Sequence, residues 1–213
     1  MKFSMCNEFC EGWSFPEVCT LAARAGYDGV EIAPYTVAPS VHDVAPNDRA
    51  AIRAAAEERG IEIVGLHWLL ARTEGLHMSH PNPAGRARTA DYLRAEIDLC
   101  ADLGGRVMVV GSPDQRNVLE GETYDAAWDR LVALFRALAP HATDRDVTFC
   151  IEPLGPWEAN ILCTAEEARR MVEAVDHPAF GMVLDVRAMS GDVEPMDAII
   201  RKGAPHLLSL IHI

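Results

Sequence analysis

VTFCIEPLGPWEAN, residues Val147–Asn160, decides how the rest of the chain is read. Val147–Ile151 is an apolar, β-branched and aromatic run without polar alternation, which reads as a strand buried on both faces. It ends in a carboxylate, Glu152, and a charge at the end of a buried strand is unfavourable unless something balances it. Pro153 then stops the ladder because it has no N–H to donate. Glu158 and Asn160 follow within a few residues and are candidate substrate contacts. Two readings of Glu152 stand at this point: a metal ligand or catalytic acid/base at the mouth of a parallel sheet, or a strand-end Glu paired with a neighbouring cation.

Outward from this stretch, the chain repeats one pattern, a short apolar run followed by an amphipathic helix. Strands are expected at Phe3–Cys6, Tyr27–Ala33, Ile61–His67, Arg106–Val110, Val147–Glu152, Phe180–Asp185 and from Leu207 onward. Helices are expected at Pro16–Ala25 (cap Ser14, stop Gly26), Asn47–Arg59 (cap Asn47), Gly85–Leu103, Tyr124–Ala139, Thr164–Val175 and Pro195–Lys202. Thr164 and Glu167 fit a capping box. Each unit takes roughly 30 residues, as parallel strands with helical crossovers require. Such alternation makes either a barrel or a doubly wound sheet. Polar residues gather at successive strand ends: Asn7, Glu8, Glu31, His67, Ser112, Glu152 and Asp185. A barrel collects these around one mouth. The phosphate-cradling loops GxGxxG and GxxxxGK[ST] are absent. The expected fold class is therefore an α/β (β/α)8 TIM barrel.

Composition bounds the function. The 213 residues are 49% hydrophobic, enough for one large core, and no linker or charge run divides them. A net charge of −13 opposes a nucleic-acid or anionic-membrane surface. No run reaches the length of a membrane span. The six cysteines have no CxxC spacing, and no secretory signal precedes them, so a reducing cytoplasm is expected. The acidic balance suits an enzyme that binds cations or neutral polar substrates, with self-association as a further expectation.

In a barrel, Glu152 and Asp185 end neighbouring strands about 5 Å apart. Two carboxylates that close repel, and one pKa rises. A divalent cation between them removes the conflict. Oxygen donors without thiolates favour a hard ion, Mn²⁺ first, with Mg²⁺ or Co²⁺ as alternatives. A protonated carboxylate or a counter-ion such as Arg187 is the competing reading. His67 and Glu31 would face the same mouth as substrate contacts, and Arg116 could reach it from the fourth strand's loop. His77 and His80 read as loop residues, since no further His or Cys stands at zinc spacing.

Five motifs resemble the xylose-isomerase-like barrel superfamily, in its sugar phosphate isomerase/epimerase type: VEIAP (Val30–Pro34), GLHWLL (Gly65–Leu70), GSPDQRN (Gly111–Asn117), IEPLGPWEAN (Ile151–Asn160) and LDVRAM (Leu184–Met189). The resemblance implies a divalent metal held by Glu152, Asp185, a His from strand seven and a Glu from strand eight. It implies proton abstraction next to a carbonyl of a small sugar or polyol, with the glutamates as the acid/base pair and the metal stabilising the enediolate, and it gives Glu158 a substrate hydroxyl. Two departures stand out. Many members carry a substrate-binding His where this chain has Ala188, with Arg187 beside it as a substitute contact. Eight units also need roughly 250 residues, so an incomplete barrel of about six units plus the start of strand seven is expected over residues 1–207. The closing hexapeptide Leu208–Ile213 (LSLIHI) equals one reading frame of a sequencing-library adapter, so residues 208–213 are expected to be a non-native tail, and His212 is not assigned as a ligand.

The functions in play are a metal-dependent sugar isomerase or epimerase, a dehydratase or lyase of the same superfamily, and an inactive truncated barrel that only binds. A nuclease is disfavoured by the acidic charge. An incomplete barrel leaves the edges of its first and last strands unpaired. Size-exclusion chromatography is expected to find this chain self-associated; a monomer across micromolar concentrations counts against exposed edges.

Overall fold

The computed structural model describes residues 1–211. His212 therefore lies outside the described residues. Seven parallel strands, β1 (Ser4–Cys6), β2 (Gly29–Ile32), β3 (Glu62–Leu66), β4 (Val107–Val110), β5 (Thr148–Ile151), β6 (Phe180–Asp185) and β7 (Leu207–Ile211), pair strictly in chain order. A doubly wound sheet reverses its order at a switch point; unbroken order is that of a barrel wall, here curled but incomplete. Its described ends are β1 and β7.

The helices between strands are α1 (Phe15–Ala25), α2 (Pro46–Glu57), α3 (Pro83–Leu103), α4 (Tyr124–Asp144), α5 (Ala165–Val175), the four-residue α6 (Val186–Met189) and α7 (Met196–Gly203). Ser14 and Thr164 start α1 and α5 as capping boxes, with Glu17 and Glu167 bonding back to the cap N–H groups. The cap expected at Asn47 is displaced: α2 starts at Pro46, whose fixed φ suits the first turn, after Ala45. α3 starts before Gly85, because Asn82 caps it by accepting the Ala84 N–H. α4 runs on through Pro140 to Asp144.

The strands' two-residue period sorts side chains into two layers. Val30, Ile32, Leu66, Met108, Val110, Phe149, Ile151, Met182 and Leu184 face outward and pack under the helices as the main core. Within it, Phe135 of α4 meets Phe149 and Phe180, with ring centroids 5.4 and 4.8 Å apart. Val109, Cys150 and Val183 face the barrel interior and form a separate cluster with Val107 and Ile211. The same inward parity continues to Gly111, Glu152 and Asp185. β4 and β5 pair Val109 with Cys150, so Gly111 and Glu152 stand level one step higher.

One buried group does not fit the apolar layer. Glu96 of α3 is fully buried, and neither carboxylate oxygen has a hydrogen-bond partner. Burial pushes its pKa well above the carboxylate range, so it stays protonated in the fold. The unfolded chain ionises above about pH 4.3, where it binds fewer protons than the native state, so stability falls as pH rises from there. Glu96→Met is expected to raise the melting temperature more at pH 8 than at pH 5, by about 2–4 °C per kcal/mol relieved. Equal gains at both pH values in thermal unfolding would exclude a buried neutral acid.

Candidate functional site

The C-terminal ends of the strands bring Glu31, His67, Glu152 and Asp185 to one mouth. Glu152 follows β5 and is 5% exposed; Asp185 ends β6 and is 6% exposed. Asp185 Oδ1 caps α6 by accepting the Arg187 N–H at 2.9 Å. Burial, and then the charge on Glu152, raise the Asp185 pKa, while the Arg187 and Ala188 N–H groups oppose the rise. Among the described residues, no Lys or Arg side chain pairs with either carboxylate. The counter-ion expected of Arg187 goes elsewhere: its Nη1 donates to Glu158 at 2.6 Å, and its guanidinium lies over the Trp157 ring.

His67 follows β3 and lies between two glutamates. Its Nδ1 is 3.0 Å from Glu31 Oε2, and its Nε2 is 3.7 Å from Glu152 Oε2. Ser4 donates to the other Glu31 oxygen at 2.9 Å. Burial alone lowers the His67 pKa, but the charge of nearby Glu152 and the hydrogen bond and charge of Glu31 outweigh it and raise the pKa well above normal. The imidazole is therefore cationic at neutral pH. Glu31 is the reciprocal case, its pKa held down by His67 and Ser4 against burial. Trp68, in the left-handed region at φ 58°, stacks beside His67. Asn7 braces the first two strand ends, donating to Thr36 and accepting the Ala33 N–H.

Two of the residues expected to touch substrate do other work here. Arg116 is fully buried, and its guanidinium donates to the backbone carbonyls of Val110, Glu152 and Leu162. Asn160 joins two loops: it accepts the Val118 N–H at 2.7 Å, donates to the Val118 carbonyl at 3.0 Å, and gives its own N–H to Asn117. Side-chain direction in a loop depends on turn geometry that residue type does not report. Asn117 and Ser4 were not singled out from the sequence. Ser4 was legible in principle, since it lies two residues before Cys6 on the inward face. His77 is buried with neither ring nitrogen bonded, and its ring lies edge-on to His80.

The donor set suits a hard cation. Glu152 and Asp185 offer oxygen donors, while burial pushes the thiols of Cys150, one step below Glu152, and of Cys6 up to about 12. Among the described residues, no group of three or more His, Cys, Asp or Glu side chains is arranged to hold an ion. Glu152 and Asp185 are a pair, and β7 itself contains no His.

A family model described as the xylose isomerase-like TIM barrel matches residues 19–213. The chain belongs to that family. A probable ketose 3-epimerase from a Synechocystis strain is 25% identical over 179 residues, covering 84% of this chain and 58% of that protein. D-psicose 3-epimerase from Ruminiclostridium cellulolyticum is 27% identical over 190 residues, covering 87% of this chain and 61% of that enzyme. The chain thus spans about three fifths of the length of these relatives. A crystal structure of a D-psicose 3-epimerase in the presence of D-fructose superposes with a TM-score of 0.87 over the whole chain and 73% of that structure, at 21% identity. At that identity the likeness concerns the fold alone.

Gly111 gives a local check on the mouth. A Cβ there would overlap the Glu152 carboxylate, so only glycine fits beside it. Gly111→Ala is expected to fold, since the nearest atoms a Cβ would meet all belong to the Glu152 side chain, but to displace Glu152. A crystal structure of the variant with Glu152 in its original rotamer would exclude this packing.

Proposed function

We propose that this chain carries the substrate-facing half of a divalent-metal-dependent sugar isomerase or epimerase, working through proton transfer next to a carbonyl. One observation carries the reading: Glu152 and Asp185 end adjacent strands, buried, without a Lys or Arg partner among the described residues. A buried carboxylate needs a cation or a proton, and at the mouth, among the described residues, only His67, beside Glu152, supplies part of that charge. The 3-epimerase relatives, identical at 25% and 27%, support the same chemistry for a sugar.

Glu152 and Asp185 would hold the cation, with Mn²⁺ favoured and Mg²⁺ or Co²⁺ as alternatives. Bound there, it would supply Lewis-acid polarisation of a substrate carbonyl. The Glu152 carboxylate, facing the interior, is positioned to take a proton from the carbon beside that carbonyl. The cationic His67, oriented by Glu31, is a donor to a substrate oxygen on the same side. Glu158, with Arg187 bonded to it, is suited to a substrate hydroxyl at the rim. Inversion at carbon needs a second proton carrier on the opposite face, which the family pattern assigns to an eighth strand.

Mn²⁺ titration by electron paramagnetic resonance, with proton exchange of ketohexoses in D₂O followed by NMR, tests this. Asp185→Asn is expected to weaken Mn²⁺ binding at least tenfold, since even changes to residues behind metal ligands cost about 10–100-fold. Glu152→Gln is expected to abolish exchange at the carbon beside the carbonyl. A chain that neither binds Mn²⁺ nor exchanges substrate protons would remove the reading.

A further inference from the structure

Arg116 is the largest fully buried side chain among the described residues, and it carries a charge. Burial lowers its pKa to about 10, partly offset by the charges of Glu152, Cys163 and Glu167, so it remains a cation at neutral pH. A buried cation is unfavourable unless it is richly bonded. Here no carboxylate bonds to it. Nη1 donates to the Val110 carbonyl at 3.0 Å and to the Glu152 carbonyl at 2.7 Å, while Nη2 makes a long 3.5 Å contact to the Leu162 carbonyl. Nε has no partner.

Each acceptor is a point where the mouth is built. Val110 ends β4, directly before Gly111. Glu152 follows β5 and presents the mouth carboxylate. Leu162 closes the loop that carries Glu158; it sits at φ 58°, in the left-handed region, and its carbonyl also accepts the Leu154 N–H at 3.1 Å. A non-glycine residue held there needs its surroundings to fix it. The turn that aims Arg116 inward is itself closed by Arg116 and Asn117 N–H bonds to the Pro113 carbonyl. The guanidinium reaches the three carbonyls from two nitrogens held rigidly in one plane, whereas a Lys ammonium would have to reach all three from a single nitrogen on a flexible stem.

We infer that Arg116 is a positioning residue for Glu152: its guanidinium pins the backbone carbonyl from which that side chain enters the mouth, and ties it to the ends of β4 and of the 152–163 loop. It does not contact substrate, because it has no surface exposed to the mouth. This rests on Glu152 being a metal ligand for its functional consequence, but not for its geometry.

The test compares Arg116→Met and Arg116→Lys with the unaltered chain by thermal unfolding, Mn²⁺ affinity, and hydrogen–deuterium exchange of segments 110–118 and 152–163. Arg116→Met is expected to weaken Mn²⁺ binding by about 10–100-fold, as for other groups that orient metal ligands, and to speed exchange in both segments while α1–α3 stay protected. Arg116→Lys, which keeps the charge but has no fork, is expected to fall between the two, and it carries the comparison alone if Arg116→Met does not fold. Unchanged affinity and unchanged exchange beside a lowered melting temperature would overturn the inference, because Arg116 would then serve bulk stability only. Wild-type affinity in Arg116→Lys would also overturn the role of the fork. If the unaltered chain binds no Mn²⁺, the metal reading fails and segment exchange alone decides: faster exchange in both variants upholds the positioning, and unchanged exchange refutes it.

Discussion

Two carboxylates buried at the ends of adjacent parallel strands, the charge of one raising the pKa of the other, are unfavourable together without positive charge nearby. That conflict, between Glu152 and Asp185, governs the mouth of this sheet. Positive charge reaches it from two directions. His67, clamped between Glu31 and Glu152, is held protonated by their charge and the Glu31 hydrogen bond against the effect of burial. Arg116 lies behind the Glu152 backbone, fully buried and bonded only to carbonyls. Neither forms a close ion pair with Asp185, so part of the conflict is left for a bound cation or for protonation to resolve.

The loops follow from the same constraint. A carboxylate can be held in a costly position only if the backbone that presents it is itself held. The fourth and fifth strand loops are fastened to each other by Arg116, Asn117 and Asn160, which together bond to backbone groups from Val110 to Leu162. This explains why GSPDQRN and IEPLGPWEAN occur in one chain: each supplies half of a joint. Gly111 belongs to it as well, since any side chain there would occupy the space of the Glu152 carboxylate.

Much of the architecture was legible before any coordinates. Strict strand–helix alternation named the parallel sheet, and seven of seven expected strands form, with boundaries shifted by one or two residues. The gathering of polar residues at strand ends pointed to the barrel mouth, and Glu152 and Asp185 stand there. Other features were not legible. Glu31 and His67 are 36 residues apart, and they meet only because β2 pairs with β3. Arg116 and Asn160 read as loop residues suited to a substrate, whereas turn geometry directs one inward and bonds the other to the neighbouring loop. Glu96 sits on the buried side of α3, where residue type alone assigns a carboxylate to water.

What the sequence by itself determined is set by local periods: two residues for a strand, 3.6 for a helix, and the stops imposed by Pro and Gly. These suffice to name the strands and to say which carboxylates end them. What only the tertiary structure decided is which side chains neutralise which, because that depends on pairing between segments tens of residues apart and on the aim of side chains leaving irregular loops. Glu152 is the clearest case. Its place at the end of a buried strand is written in VTFCIEP, but the histidine facing it and the arginine behind it were brought there by the curl of the sheet.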